Sequence, residues 1–271
     1  AVEDRLREDS GHAIKAILCV QVDTASSLYN DIAAIRQAID AASHPALFMV
    51  DVIASQGCMR YEMDEWGVDV TVGGSQKGLM CPPGLGFNWA SERALEAHQT
   101  AGLRTQYWDW SLKRERPHYR KYCGTAPIHH IYALRAALDI LLGEGLENAW
   151  RRHRAHADGV RAAVSAWAAD GPLEMNAIDP AERADSVTTI LTPGLDVEKF
   201  RRFCHKELGL VLGLGIGDFD GKAFRIGHMG HLSPPMILGT LAAAQVGLIA
   251  SQIPHGAGAI EAATAAIAEH F

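Results

Sequence analysis

One acid and one amine stand where they can act on the same electrophile. Asp51 closes the apolar run LFMV, and Lys77 sits in the turn GGSQKG that follows a second apolar run, VDVTV. Both runs are too short and too β-branched for helices and read as buried parallel strands. Residues that directly follow such strands gather at one edge of an α/β sheet, where ligands bind. An acid and a lysine delivered there together point to an electrophilic cofactor, with Lys77 as Schiff-base nucleophile and Asp51 as partner to a ring nitrogen. The competing reading is a buried salt bridge between Asp51 and a lysine in an ordinary α/β domain. It leaves the paired Pro82-Pro83 and the Ser75-Gln76-Lys77 turn unexplained. The third group is Arg225, in the run FRIGHMG. An arginine between apolar neighbours on a buried strand needs an anion, because a buried charge without one is very costly. A carboxylate held by both arms of the guanidinium is its natural partner. His228, three residues on, is expected to line the same mouth.

Regular elements must carry these groups. Residues 3–8 read as the end of a helix stopped near Gly11, and 13–22 as a buried strand ending in Asp23, Thr24, Ala25, Ser26 and Ser27. A hydroxyl at such an end can meet a cofactor ring substituent or cap a helix, and on its own Thr24 reads as a cap. Asp31–Ala42 has helical spacing, with Ile32, Ile35 and Ile39 on one stripe. His44-Pro45 breaks it before LFMVD, so 17–51 is a right-handed βαβ unit. Leu85–Trp89 reads as a returning strand, and Ser91 opens a helix to Ala101. Long helices follow at 128–142 and 146–167, and the domain boundary is placed at Gly145. Arg151, Arg152, Arg154 and Arg161 on the second helix read as a solvated face. Beyond it, a strand SVTTILTP, a helix Val197–Leu208 and strands GLVLGLG and KAFRIGHMG build a smaller α+β domain. The glycines at 213, 215 and 217 do not read as a dinucleotide fingerprint, because a turn and a strand follow them rather than a helix. The alanine-rich tail, 234–270, reads as helix broken near Pro254.

The stretches VDVIAS and VDVTVGGSQKGLMCPPGLGF resemble the cofactor-lysine region of the class V aminotransferases of fold type I, nearest to the serine–glyoxylate and alanine–glyoxylate group. The resemblance implies an α/β fold, with 1–144 as the remainder of a large cofactor-binding domain on a mostly parallel sheet and 145–271 as the small C-terminal domain. It implies pyridoxal 5'-phosphate on Lys77, with Asp51, Gln76 and Thr24 around the ring. Tyr122 and Thr125, in YCGTAP, stand where the family carries a Tyr and a Thr that reach the cofactor phosphate of the other subunit of a homodimer. Arg225 is placed on the α-carboxylate of the substrate. The implied reaction is transamination of a small amino acid with glyoxylate or another small keto acid. The segment DTASS departs from the family's E-[ST]-[ST]-[ST]-G: Asp23 is the shorter acid, Ala25 lacks a hydroxyl and Ser27 replaces glycine. The resemblance covers the chain nearly end to end, but no S-G-T-G-like phosphate loop occurs upstream of Thr24. The chain alone is therefore expected to hold the cofactor poorly. Two rivals are a cysteine desulfurase-like lyase, using Cys81 or Cys123, and a truncated, non-catalytic remnant of the fold.

Composition narrows the partners. With 271 residues, 48% of them apolar, the chain can bury a sizeable core in one or two domains. A net charge of -7 argues against nucleic acid or an anionic membrane as bulk partner. The basic and aromatic run 105–125 reads instead as a surface or subunit-interface segment. Five scattered cysteines have no metal-ligand spacing and give no disulfide framework, and His129-His130 reads as packing or surface rather than as metal ligands. No apolar run approaches a membrane span, the charged start is unlike a signal peptide, and a cytoplasmic protein is expected.

Overall fold

The structure is a computed structural model and describes residues 1–115, 117 and 121–271. Residues 116 and 118–120, part of the basic and aromatic run, lie outside the described residues. The chain divides into two units: Ala1–Val20, Asp31–Ile53 and Tyr61–Ile140 in the first; Gln21–Asn30, Ala54–Arg60 and Leu141–Phe271 in the second.

In the first unit, α1 (Val2–Glu8) precedes β1 (Ala16–Val20), α2 (Ile32–Ala41), β2 (Leu47–Asp51), β3 (Val70–Gly74), β4 (Gly86–Ala90), α3 (Glu92–Gln99) and α4 (Trp110–Glu115). α5 (Ile128–Glu144) begins in this unit. The sheet runs β1-β2-β3-β4, with the first three strands parallel and β4 antiparallel to β3. The strand expected over 13–22 is shorter because the amides of Ala13 and Ile14 go to the Asp9 carboxylate, at 3.0 and 2.7 Å, instead of to a ladder. Side chains cap two helices: Asp31 accepts from the amide of Ala34 at 3.0 Å and Ser91 from that of Ala94 at 3.2 Å. Alternation along β2 orients the acid. Phe48 and Val50 are buried against Leu6, Ile32 and Ile39 of the helices, so the two-residue period turns Asp51 to the opposite face.

In the second unit, α6 (Leu146–Ala168), β5 (Glu174–Met175), β6 (Val187–Leu191), α7 (Val197–Leu208), β7 (Gly213–Leu214), β8 (Ala223–Gly227), α8 (Pro234–Ala250) and α9 (Ala259–Ala268) follow. The antiparallel sheet has the order β5-β6-β8-β7. Trp167, Ile190, Phe200, Phe224 and Leu241 form the centre of its core. The strand expected at GLVLGLG shrinks to two residues. The Leu210 amide is taken by the Cys204 carbonyl at the end of α7, and the Leu212 carbonyl by the Arg201 guanidinium. A short 3-10 turn, Gly217–Phe219, follows the glycines, and β8 follows the turn.

The arginines of α6 form a solvated face only in part: Arg151 and Arg154 are exposed, Arg152 is half-buried and Arg161 is buried. Arg161 is buried and bonds Asp185 at 3.0 Å and Asp158 at 2.8 Å, Arg154 bonds Asp185 at 2.9 Å, and Arg152 bonds Glu144 at 2.6 Å.

Candidate active site

β2 and β3 are in parallel register with Asp51 opposite Val72, and Lys77 follows Gly74, the last residue of β3. The two groups thus arrive at the carboxyl edge of the same sheet. Asp51 is half-buried, and its Oδ1 accepts the Ile53 amide at 2.7 Å. Among the described residues the rest of its carboxylate has no partner, and the Lys77 amine has no hydrogen-bond or ion-pair partner. The competing salt bridge between them is absent among the described residues. Gln76 is exposed, and its Oε1 lies 3.2 Å from where a side chain on Gly74 would begin.

Another acid on this sheet shows what a structural carboxylate looks like. Asp69 is buried and accepts from the Phe48 amide at 2.8 Å, the Ser91 hydroxyl at 3.1 Å and Arg93 Nη1 at 3.0 Å. Its oxygens are spent on the fold, whereas those of Asp51 are largely free. No sequence pattern singled out Asp69. Its partners come from two separate stretches of chain, β2 and the start of α3.

Tyr122 and Thr125 are exposed and line a cavity of about 760 Å³ in the first unit. Gly84, Leu85 and Gly86, which end the Lys77 loop, line the same cavity, as do the basic side chains Lys113, Arg114 and Lys121. The pair is therefore brought beside the end of the loop that bears the lysine. Cys81, a candidate nucleophile of the lyase alternative, is buried, with its Sγ 3.7 Å from the His130 carbonyl.

Thr24 and Arg225 belong to the second unit. Arg225 stands between Thr189 and Gly213 on the neighbouring strands, and Gly213 allows it: a Cβ there would lie 3.1 Å from that of Arg225. The guanidinium is held by carbonyls, Nε donating to Leu214 at 2.8 Å and Nη1 to Thr24 at 2.8 Å. No ion pair to a protein acid occupies it among the described residues, so the salt-bridge alternative has no partner there. Burial and the charge of Arg201 lower the Arg225 pKa, against the pull of Asp23. Burial also opposes ionised Asp23. The Ser26 amide and hydroxyl, the Ala25 amide and the Arg225 charge outweigh it and hold that carboxyl below its ordinary value. His228 does not line a mouth. It is fully buried, bonded to Thr188 Oγ1 and the Asp185 carbonyl at 2.9 Å each, and burial pushes its pKa down to about 3. The alternation of β8 turns it to the side of Phe224 and Ile226, away from Arg225.

This donor set fits a cofactor with an electrophilic carbon and a ring nitrogen. An amine and a carboxylate reach one sheet edge without being spent on each other. Among the described residues, no group of three or more His, Cys, Asp or Glu side chains is placed to hold a metal ion, and no helix is long and apolar enough to cross a membrane.

Comparison with known proteins agrees with this chemistry. The family model described as Aminotransferase class-V matches residues 3–216. The chain is 40% identical over 254 residues to the serine–glyoxylate aminotransferase of Methylorubrum extorquens, covering 92% of this chain and 62% of that protein. It is 40% identical over 272 residues to the L-aspartate–glyoxylate aminotransferase of Paracoccus denitrificans, covering 99% and 66%. Among solved structures, pyridoxamine–pyruvate aminotransferase from Mesorhizobium loti superposes with a TM-score of 0.88 at 30% identity, covering all of this chain and 68% of that one. The chain thus spans 62% and 66% of the lengths of the two aminotransferases from Methylorubrum and Paracoccus.

Proposed function

This chain belongs to the class V aminotransferase family, of fold type I, and on that premise we propose that it carries out pyridoxal-phosphate-dependent transamination of a small amino acid with glyoxylate or another small keto acid. The observation that carries the proposal is the pair Asp51 and Lys77, delivered to one sheet edge and left free for a ligand. When bound, pyridoxal phosphate supplies the electron sink for the charge that develops at the amino-acid Cα.

The chain's own residues have distinct tasks. Lys77 would hold the cofactor, Asp51 would accept the ring N–H, and Gln76 and Thr24 would position the ring. With its amine free, Lys77 Nζ would take the amino-acid Cα proton as general base and, as general acid, would deliver it to the cofactor carbon rather than back to Cα. Arg225 fixes the substrate carboxylate with the donors that Leu214 and Thr24 do not use. Tyr122 and Thr125 would bind the cofactor phosphate of a second subunit in a homodimer. We assign the protein to the cytoplasm, residues 1–144 to the cofactor-binding domain and 145–271 to the small domain. The names of the Methylorubrum and Paracoccus relatives favour glyoxylate as acceptor.

The test is to incubate the protein with pyridoxal phosphate, reduce with borohydride and map the labelled peptide. An absorbance band at the edge of the visible and a label on Lys77 are expected, followed by glyoxylate-dependent consumption of serine, alanine or aspartate. Because the chain alone is expected to hold the cofactor poorly, the label on Lys77 is expected at low occupancy, and a label on another lysine would overturn the assignment.

A further inference from the structure

The loop that bears Lys77 joins β3 to β4, and two side chains hold it, one from within the loop and one from α5. Ser75 is fully buried and spends every polar group on the loop. Its amide donates to the Leu85 carbonyl at 3.1 Å, and its carbonyl accepts the Cys81 amide at 3.0 Å. Its hydroxyl donates to the Pro82 carbonyl at 2.7 Å and accepts the Leu85 amide at 3.3 Å. From α5, His130 Nε2 meets the Pro83 carbonyl at 3.1 Å. A carbonyl can only accept, so the proton lies on Nε2.

Three features make this pair more than packing. Prolines have no N–H, so Pro82-Pro83 cannot close a turn with their own donors; Ser75 and His130 supply donors to the two consecutive carbonyls. Gly84 has φ +143°, and a Cβ there would lie 2.6 Å from His130 Nε2, so only glycine lets the imidazole approach. Met80 has φ 60°, a conformation that side chains disfavour, and its amide is tied to the Lys77 carbonyl at 2.9 Å. A loop with such a residue just beyond the lysine relaxes unless it is clamped.

We infer that Ser75 and His130 are positioning residues for Lys77, fixing the turn from which its amine projects. The inference rests on the reading of Lys77 as the cofactor lysine. The test compares Ser75→Ala, Ser75→Thr, His130→Ala and His130→Gln in the full chain, with two readouts. Without cofactor, amide hydrogen exchange of Cys81 and Leu85 should rise by about tenfold or more in the alanine variants, as expected for one lost buried hydrogen bond. After exposure to pyridoxal phosphate and borohydride, the rate of labelling at Lys77 should fall by about tenfold or more in the alanine variants. Ser75→Thr and His130→Gln keep a donor and should recover the wild-type labelling rate. Unchanged exchange in the alanine variants overturns the clamp. Faster exchange with labelling at the wild-type rate overturns the positioning role. If wild-type Lys77 takes no label, the reading of the lysine fails and the positioning role with it, while the exchange data still decide whether the loop is clamped.

Discussion

Arg225 Nη1 donates to the main-chain carbonyl of Thr24 at 2.8 Å, joining a strand of the second sheet to the loop that follows β1 in sequence. With Nε on Leu214, the guanidinium is anchored by backbone and keeps donors for a carboxylate. Arg225→Lys has neither the fork nor the reach for both anchors. It should raise KM for amino acid and keto acid by roughly 100-fold, with kcat within a few-fold of wild type, as for a lost bidentate carboxylate contact. Steady-state kinetics with both substrates measure this. An unchanged KM would mean that Arg225 only ties the 21–30 loop to the sheet.

Asp51→Asn separates chemistry from folding. The asparagine carbonyl still accepts the Ile53 amide, so stability should change by less than about 1 kcal/mol. Turnover should fall by about 100-fold or more, because a neutral amide cannot hold a proton on a ring nitrogen. Lys77→Arg should abolish both cofactor attachment and proton transfer, since arginine stays charged. Urea denaturation beside single-turnover rates tests both variants. An Asp51→Asn protein with normal turnover would remove the acid from the mechanism.

The residues legible in sequence are those whose roles sit on local patterns. Asp51 and Lys77 were visible because strand-end position follows from short apolar runs, and the alternation within β2 sets the side to which Asp51 points. The Ser91 cap and the break before Leu47 were likewise local. His228 was misread because sequence places it near Arg225, while the strand period turns it the other way. Arg152 and Arg161 of α6 were misread because Glu144 and Asp185, with which they pair, lie outside the helix, and charge on a helix says nothing about such partners. The clamp on the Lys77 loop was invisible for the same reason: Ser75 stood in a recognised motif, but His130 meets Pro83 from another element.

Asp69 supplies the control acid. It is buried and takes three donors, so Asp69→Asn leaves Arg93 without its carboxylate. The Arg93 side chain is 42% exposed, which reduces the cost of a broken buried pair to about 2 kcal/mol. Urea denaturation should show that loss, while the folded fraction keeps normal Lys77 labelling. Loss of labelling in fully folded protein would place Asp69 in the site after all.

Three buried histidines of the second unit make its stability depend on acid. Burial lowers His153 and His156 to about 4 and His228 to about 3. His153 Nε2 accepts the Gly230 amide at 3.0 Å, with Nδ1 on the Ala149 carbonyl at 2.7 Å, an arrangement that suits a neutral ring. The charges around them are Arg152, Glu144 and Arg161, and the two cations oppose protonation. Unfolded histidine titrates near 6.5, above all three folded values, so the unfolded chain binds protons first. Stability is therefore full above about pH 6.5 and is lost as pH falls toward the folded values. Between pH 7.5 and 5.5 the three together should cost about 4 kcal/mol. His156 is the residue to change, because both its ring nitrogens are buried without a hydrogen-bond partner among the described residues. His156→Leu removes no hydrogen bond and one proton-binding group. It should add about 1 kcal/mol at pH 7.5 and cut the acid loss by about a third. Urea titrations at the two pH values measure both effects, and an acid slope equal to wild type would show that His156 takes no part in it.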